Sequence, residues 1–287
     1  MTRRTPGSLG AFYVALLLLA ANLAAQTPSD VALERQGYLA WLKHAPNSPL
    51  FAVAQQKVGD GVRLGPADAD IPLEGAGEYR VYPSAGEFVL EGPGGKRSIG
   101  RGHPYRIGDY ALYLTGAQRF ATLTVFAEGR STKEPPGYYE YDASMVFLGP
   151  LVRSKNPEPI AVLSSDGMET MGTEVGTFAV PLGGRTVLRV LRMPVAGSEE
   201  SELEIFFRDA TNGKGTYPAG RFVSLIPAGP GVFRLDLNRA RNPFCAYSSV
   251  YPCPLPWDGN VIAAPVRAGE RYSGEGLNAP PAKVKTQ

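Results

Sequence analysis

Residues 206–222 read FFRDATNGKGTYPAGRF, residues 233–260 read FRLDLNRARNPFCAYSSVYPCPLPWDGN, and residues 261–272 read VIAAPVRAGERY. Leu203, Ile205 and Phe207 alternate with Glu204 and Phe206, the period of two expected of a strand with one face buried. Asn212-Gly213 then supplies a turn, because both residue types tolerate positive φ. A further strand is predicted over Val232–Leu237, bringing Asp236 and Asn238 to its exit. If the strands pair, Asp209, Arg221, Asp236 and Asn238 converge at one sheet end.

The same punctuation extends outward. Short strands are predicted at Val62–Leu64, Glu78–Tyr82, Glu87–Glu91, Tyr110–Leu114 and Ala121–Phe126, and again at Glu140–Leu148, Ile160–Leu163, Gly176–Val180, Thr186–Arg192 and Leu203–Phe207. Gly183-Gly184 sits where a hairpin turn is needed, and Gly94-Gly95-Lys96-Arg97, which lacks the context of a phosphate-binding loop, reads as another. One helix is predicted, from a cap at Ser29 or Asp30 to Lys43 or His44. Val31, Tyr38, Leu39 and Leu42 fall on one face with Arg35 intruding, and Trp41 reads as packing. The fold class is therefore mostly β: an antiparallel β-sandwich or barrel-like body with one short N-terminal helix. Residues 26–130 are expected to form the helix and a small β lobe, with Gly129–Gly137 as a linker. Residues 138–272 are expected to form a second β lobe and 273–287 a disordered tail.

The start of the chain reads as a secretory signal peptide over residues 1–25: Arg3 and Arg4, an apolar run, then small residues before Gln26. That run falls short of the ~20 residues that span a bilayer, so no stable membrane span is expected after cleavage. The mature protein is expected to be exported, periplasmic or secreted. Taking Arg3 and Arg4 from the 29 basic residues leaves 27, against 27 acidic. Such balance argues against nucleic-acid binding driven by charge.

Candidate chemistry collects in the quoted stretch. An Arg between carboxylates forms charge-assisted, bidentate hydrogen bonds, which serve equally to hold an anionic substrate or to pin a loop. Asp209, Arg221 and Asp236 are the candidate catalytic residues. Asp209, Thr211, Thr216, Tyr217, Arg221, Asp236, Asn238, Asn242 and Tyr247 are the candidate ligand-binding set. Glu270 reads either as a member of that cluster or as a salt bridge of a terminal strand. Cys245 and Cys253 are the only cysteines, and in an exported chain their closeness reads most simply as one disulfide. The two histidines, His44 and His103, lie far from them, so neither a metal site nor an activated thiol is indicated. No Walker loop, HExxH or nucleophile elbow is present, and no cofactor is expected.

DATNGKGTYPAGRF at Asp209–Phe222, LDLNRARNPFCAY at Leu235–Tyr247, CPLP at Cys253–Pro256 and RAGE at Arg267–Glu270 resemble, in order and spacing, the uncharacterised prokaryotic family called domain of unknown function 1684. The sequence departs from that family's pattern at Phe222, Leu237 and Arg241, where Tyr, Phe and Tyr are favoured. The resemblance implies a mostly-β fold and a polar site; it brings no reaction. Three readings follow. The first is an exported protein binding a small polar ligand or an envelope protein at the motif. The second is a hydrolase-like enzyme using Asp209 or Asp236 with Arg221. The third is an envelope structural protein whose motif is a staple.

Overall fold

The computed structural model describes residues 28–116, 121–127, 134–163, 169–194, 200–253 and 259–274. The leader at residues 1–25 and most of the expected tail lie outside them, as does much of the linker.

Among the described residues the protein is a mostly antiparallel β structure with one N-terminal α-helix, α1 (Pro28–His44), and sheets that do not close into a barrel. Val31 and Leu42 are the fully buried positions of α1. A 3-10 turn at Pro49–Phe51 follows, capped by the Ser48 side chain, which accepts from the Leu50 amide.

Among the described residues, nine strands follow in two sheets. One runs β1 (Ala52–Lys57), β9 (Thr122–Ala127), β8 (Tyr110–Thr115), β7 (Pro104–Ile107). The other runs β3 (Ile71–Pro72), β2 (Val62–Gly65), β4 (Tyr79–Ser84), β5 (Glu87–Gly92), β6 (Gly95–Ile99). Their inward side chains share one core, including Val62, Val81, Phe88, Leu112, Leu123 and Val125.

The third sheet is built from β10 (Val146–Pro150), β16 (Val232–Asp236), β15 (Arg221–Gly229), β14 (Ser201–Asp209), β13 (Thr186–Pro194), β12 (Glu169–Val180) and β11 (Val152–Leu163), in that spatial order. The short β17 (Val261–Ile262) joins β14 in parallel. A separate core around Phe178, Leu188, Ile205, Phe207, Val223 and Leu235 lies beneath it. Residues 203–207 do form a strand, β14, but burial does not alternate along them: Glu204, Ile205, Phe206 and Phe207 are all buried, and Phe206 stacks on Phe222 of β15 at 4.4 Å.

The irregular segment after β16 ties these parts together. Tyr247 packs with Leu42 of α1 and with Leu50, and Tyr251 packs beside Ala52 and Phe126. The Ser248 hydroxyl donates to the Ala52 carbonyl at 2.9 Å.

Several expected boundaries shift. Glu140–Leu148 is not one strand: the Asp142 side chain accepts from the Ser144 amide and starts a 3-10 turn at Ala143–Met145, so β10 begins only at Val146. Ile160–Leu163 and Gly176–Val180 are the ends of two 12-residue strands. Gly183 and Gly184 turn between β12 and β13 at φ +63° and +93°, as expected. In the 212–213 turn only Gly213 adopts positive φ.

Candidate functional site

The hairpin β14–β15 sets Phe207 opposite Arg221, and the chain bends between them through residues 210–220. Gly220 makes the return, at φ +116°; a Cβ there would lie 2.6 Å from the Phe207 carbonyl oxygen. Asp209 and Arg221 are thereby brought side by side in the interior. Arg221 Nη2 donates to Asp209 Oδ2 at 2.9 Å, and both side chains are 0% exposed. The terminal guanidinium nitrogens also donate to backbone carbonyls, those of Val266 and Ala268, with a longer contact to Glu270, while Nε is buried without a partner. Asp209 Oδ1 accepts from the Thr211 amide, the Thr211 hydroxyl and the Val266 amide. Thr211 shares a hydrogen bond with Thr216, and Asn212 Nδ2 donates to the Tyr217 carbonyl. Burial lowers the pKa of the Arg221 guanidinium, opposed by the Asp209 charge. The arrangement stitches the 210–220 loop to residues 266–270.

Asp236 and Asn238 fall in a different place. Asp236 Oδ1 accepts from the Asn238 amide and side chain, capping the 3-10 turn Leu237–Arg239. Asn238 also exchanges two hydrogen bonds with the Asp142 backbone across the sheet edge. Arg221 donates nothing to Asp236. The single converging cluster expected from strand pairing is thus two clusters, because β16 ends one strand beyond the β14–β15 hairpin.

A third cluster forms around Glu270. Backbone pairing sets Tyr138 opposite Glu270, and the Glu270 amide donates to the Ala240 carbonyl. The Glu270 carboxylate accepts from the Asn242 amide at 2.7 Å, the Tyr247 hydroxyl at 2.5 Å and the Tyr138 hydroxyl at 3.3 Å. Glu270 is 1% exposed, and burial pushes its carboxyl above the ordinary 4.5 despite those donors and Arg241. Burial and the Glu270 charge raise Tyr247 well above its ordinary value. Asn242 and Tyr247 thus belong with Glu270 rather than with Arg221.

Helix α1 covers this cluster. Arg35 donates to the Tyr139 carbonyl at 2.9 Å and the Asn238 carbonyl at 2.8 Å, and its guanidinium lies 4.6 Å from the centre of the Tyr138 ring. Glu34 pairs with Arg239. Between helix and sheet edge remains a pocket of about 120 Å³, walled by Val31, Arg35, Tyr38, Tyr138, Arg239, Glu270 and their neighbours. A larger open cavity, about 510 Å³, lies over β2, β4 and β5 among Arg63, Asp68, Tyr79, Arg80 and Glu91. Its Arg63 is already paired with Asp68 and Asp70 on an exposed face. The smaller pocket is the better site, since it joins a buried carboxylate to converging polar groups.

Cys245 and Cys253 form a disulfide, with Cα atoms 5.4 Å apart. The Tyr217 hydroxyl lies 3.3 Å from each sulfur and is pushed up to about 12 by burial. No cluster of metal-ligating side chains occurs among the described residues.

The family described as protein of unknown function DUF1684 matches residues 136–271. A solution NMR structure of an uncharacterised protein from Haloarcula marismortui is 32% identical, over 49% of this chain and 78% of that one, with a TM-score of 0.41. The chain belongs to the DUF1684 family. No curated protein matches. The DUF1684 segment contains the Asp209–Arg221 core, the disulfide and the Glu270 cluster, but α1 lies outside it. Arg35 and Tyr38 therefore complete the pocket from beyond the family segment. Sequence reasoning did not assign them to a site. The available signal was a lone Arg on the apolar face of a helix, where a cation needs a partner.

Proposed function

We propose that this protein is an exported, β-rich binding protein that holds a small polar ligand in the pocket beneath α1. The Asp209–Arg221 network acts as the staple that shapes it. The supporting observation is the contrast between the two polar centres. The Asp209 carboxylate and both terminal nitrogens of Arg221 are bonded within the protein, and only Arg221 Nε lacks a partner there. The Glu270 centre instead borders a cavity. On this reading Asn238, Asn242 and Tyr247 support the pocket, while Asp209, Thr211, Thr216, Tyr217 and Arg221 hold the loop behind it. The signal-like start at Arg3 and Arg4 supports export, as does the disulfide.

An enzyme reading has one observation in its favour: Glu270 is a carboxyl raised by burial at a cavity wall, as a general acid would be.

Native mass spectrometry of protein recovered from its natural host tests the binding reading. A small-molecule adduct retained by the natural sequence and lost in Tyr38→Phe with Arg239→Ala is expected. An adduct unaffected by those changes, or absent altogether, refutes it. Turnover abolished by Glu270→Gln would favour the enzyme instead. N-terminal sequencing should find the mature chain starting near Gln26; an intact Met1 in soluble cytoplasmic protein refutes export.

A further inference from the structure

The larger cavity lies wholly among residues 63–93, outside the segment that the family covers. Strand pairing sets Arg63 opposite Arg80 and Arg80 opposite Glu91, so these three stand in one cross-strand row. Glu78, just before β4, lines the cavity with them. One wall is the loop at residues 66–70. Arg63 holds it in place: its amide donates to Asp70 Oδ2 and its Nη2 to the Asp68 carbonyl, both at 2.8 Å. Pro66 and Pro93 supply exposed apolar surface, and their fixed φ means that little order is lost on binding. The Tyr79 ring packs on β5 where a Cβ at Gly92 would collide with it. Pro93 and Tyr79 adjoin, since a Cβ at Gly77 would touch both, at 3.2 and 3.9 Å.

The polar groups of this cavity are within reach of solvent. The side chains of Arg63, Asp68 and Glu91 are 56%, 86% and 42% exposed. Among the described residues the Glu78 carboxylate and the Tyr79 hydroxyl have no hydrogen-bond or ion-pair partner. Asp68 pairs with Arg63 at 3.8 Å and Glu91 with Lys96 at 3.3 Å, which leaves each carboxylate able to accept further donors. The Arg80 guanidinium has only the Asp60 carbonyl, at 3.5 Å, and the face of the Tyr82 ring, at 5.2 Å. Both signs of charge therefore line one space. An anion there would meet the carboxylates of Asp68, Glu78 and Glu91, and a cation would meet Arg63 and Arg80. Hydroxyl groups suit both, because they donate to carboxylates and accept from guanidinium. The volume, about 510 Å³, lies within the ~300–1,000 Å³ of small-molecule sites.

We propose that this cavity is a second binding site and that it takes a neutral saccharide. Asp68, Glu78 and Glu91 accept hydrogen bonds from its hydroxyls, Arg63 donates to them, and the apolar face of a sugar ring lies on Tyr79 and Pro93. Aromatic surface beside a few fixed polar groups is the lining such a ligand needs. The site shares no residue with the pocket beneath α1.

Isothermal titration of the full mature protein with maltotriose, cellotriose, chitotriose and mannotriose tests the proposal, with trigalacturonate and spermidine as charged comparators. Saturable one-site binding of at least one neutral trisaccharide, with Kd below about 10 mM and roughly tenfold tighter than either charged compound, is expected. Glu78→Ala should weaken that binding roughly tenfold, as loss of a hydrogen bond to a charged group does. It should leave the melting temperature unchanged, because the Glu78 carboxylate has no protein partner to lose. Tyr79→Leu should weaken binding several-fold; if that variant fails to fold, Glu78→Ala decides. Tyr38→Phe with Arg239→Ala, which alters the α1 pocket, should leave saccharide binding unchanged, so the two sites stand or fall separately. Saturation by none of the four trisaccharides, tighter binding of a charged compound, or undiminished affinity in Glu78→Ala overturns the inference.

Discussion

Removing the Arg221 guanidinium tests the staple directly. Arg221→Met keeps an unbranched stem and deletes the charge. Asp209 Oδ2 then loses its donor, and the carbonyls of Val266, Ala268 and Glu270 lose theirs. The guanidinium's contact with the Phe207 ring, at 5.4 Å, is lost as well. Breaking one partner of a buried ion pair costs about 3–5 kcal/mol, because the other charge is left uncompensated. The cost is moderated here because Asp209 Oδ1 keeps three donors. A loss of about 4 kcal/mol is therefore expected, close to what stands between many domains and unfolding. At about 2–4 °C per kcal/mol for a domain of this size, the melting temperature should fall by roughly 8–16 °C. Urea unfolding followed by circular dichroism, with a thermal melt as cross-check, measures it. The double variant Asp209→Asn with Arg221→Met should lose less than the sum of the singles, since the carboxylate that Arg221 neutralises is gone. A single-variant loss below about 1 kcal/mol, or strict additivity in the cycle, would refute the reasoning.

The other predictions concern the disulfide, the Glu270 carboxyl and one glycine. Replacing Cys245 and Cys253 together by Ser should cost about 2.5 kcal/mol on the chain-entropy account; reductant should lower the melting temperature of the natural protein and leave the variant's unchanged. Burial raises the carboxyls of Glu270 and Glu204 above their ordinary 4.5, so between 4.5 and those raised values the folded chain holds more protons than the unfolded one. Stability contributed by these groups is therefore present at low pH and declines as pH rises through that window. Glu270→Gln should flatten the decline in a pH series of urea melts, and an unchanged slope would contradict it. Gly269→Ala should destabilise by at least about 2 kcal/mol, because at φ +76° its Cβ would lie 2.5 Å from the Ala240 carbonyl oxygen. Gly213→Ala, at φ +73° but facing open space, should cost about 1 kcal/mol in the same assay.

Local pattern carried much of this protein. The strand at Leu203–Phe207, the helix-compatible face of Val31 and Leu42, and the turns at Gly183-Gly184 and Gly94-Gly95 were legible because each depends on residues within a few positions of one another. Strands β6 and β7 were not, since charged, exposed or proline-bearing runs such as GKRSI lack the period of two. The hairpin that joins Asp209 to Arg221 was within reach of the same reasoning, being 12 positions wide. The destinations of the other polar residues were not. Asp236 and Asn238 looked like partners of Arg221 and instead cap a turn against Asp142, 96 residues away. Arg35 looked like an intrusion on an apolar face, yet its guanidinium finds the Asn238 carbonyl 203 residues away. Glu270 meets Tyr138 across 132 residues. A side chain's periodicity states which face it occupies; its partner depends on the register and order of strands far off in the chain. That order is set by how the separate cores bury their apolar faces together, which only the tertiary structure decides.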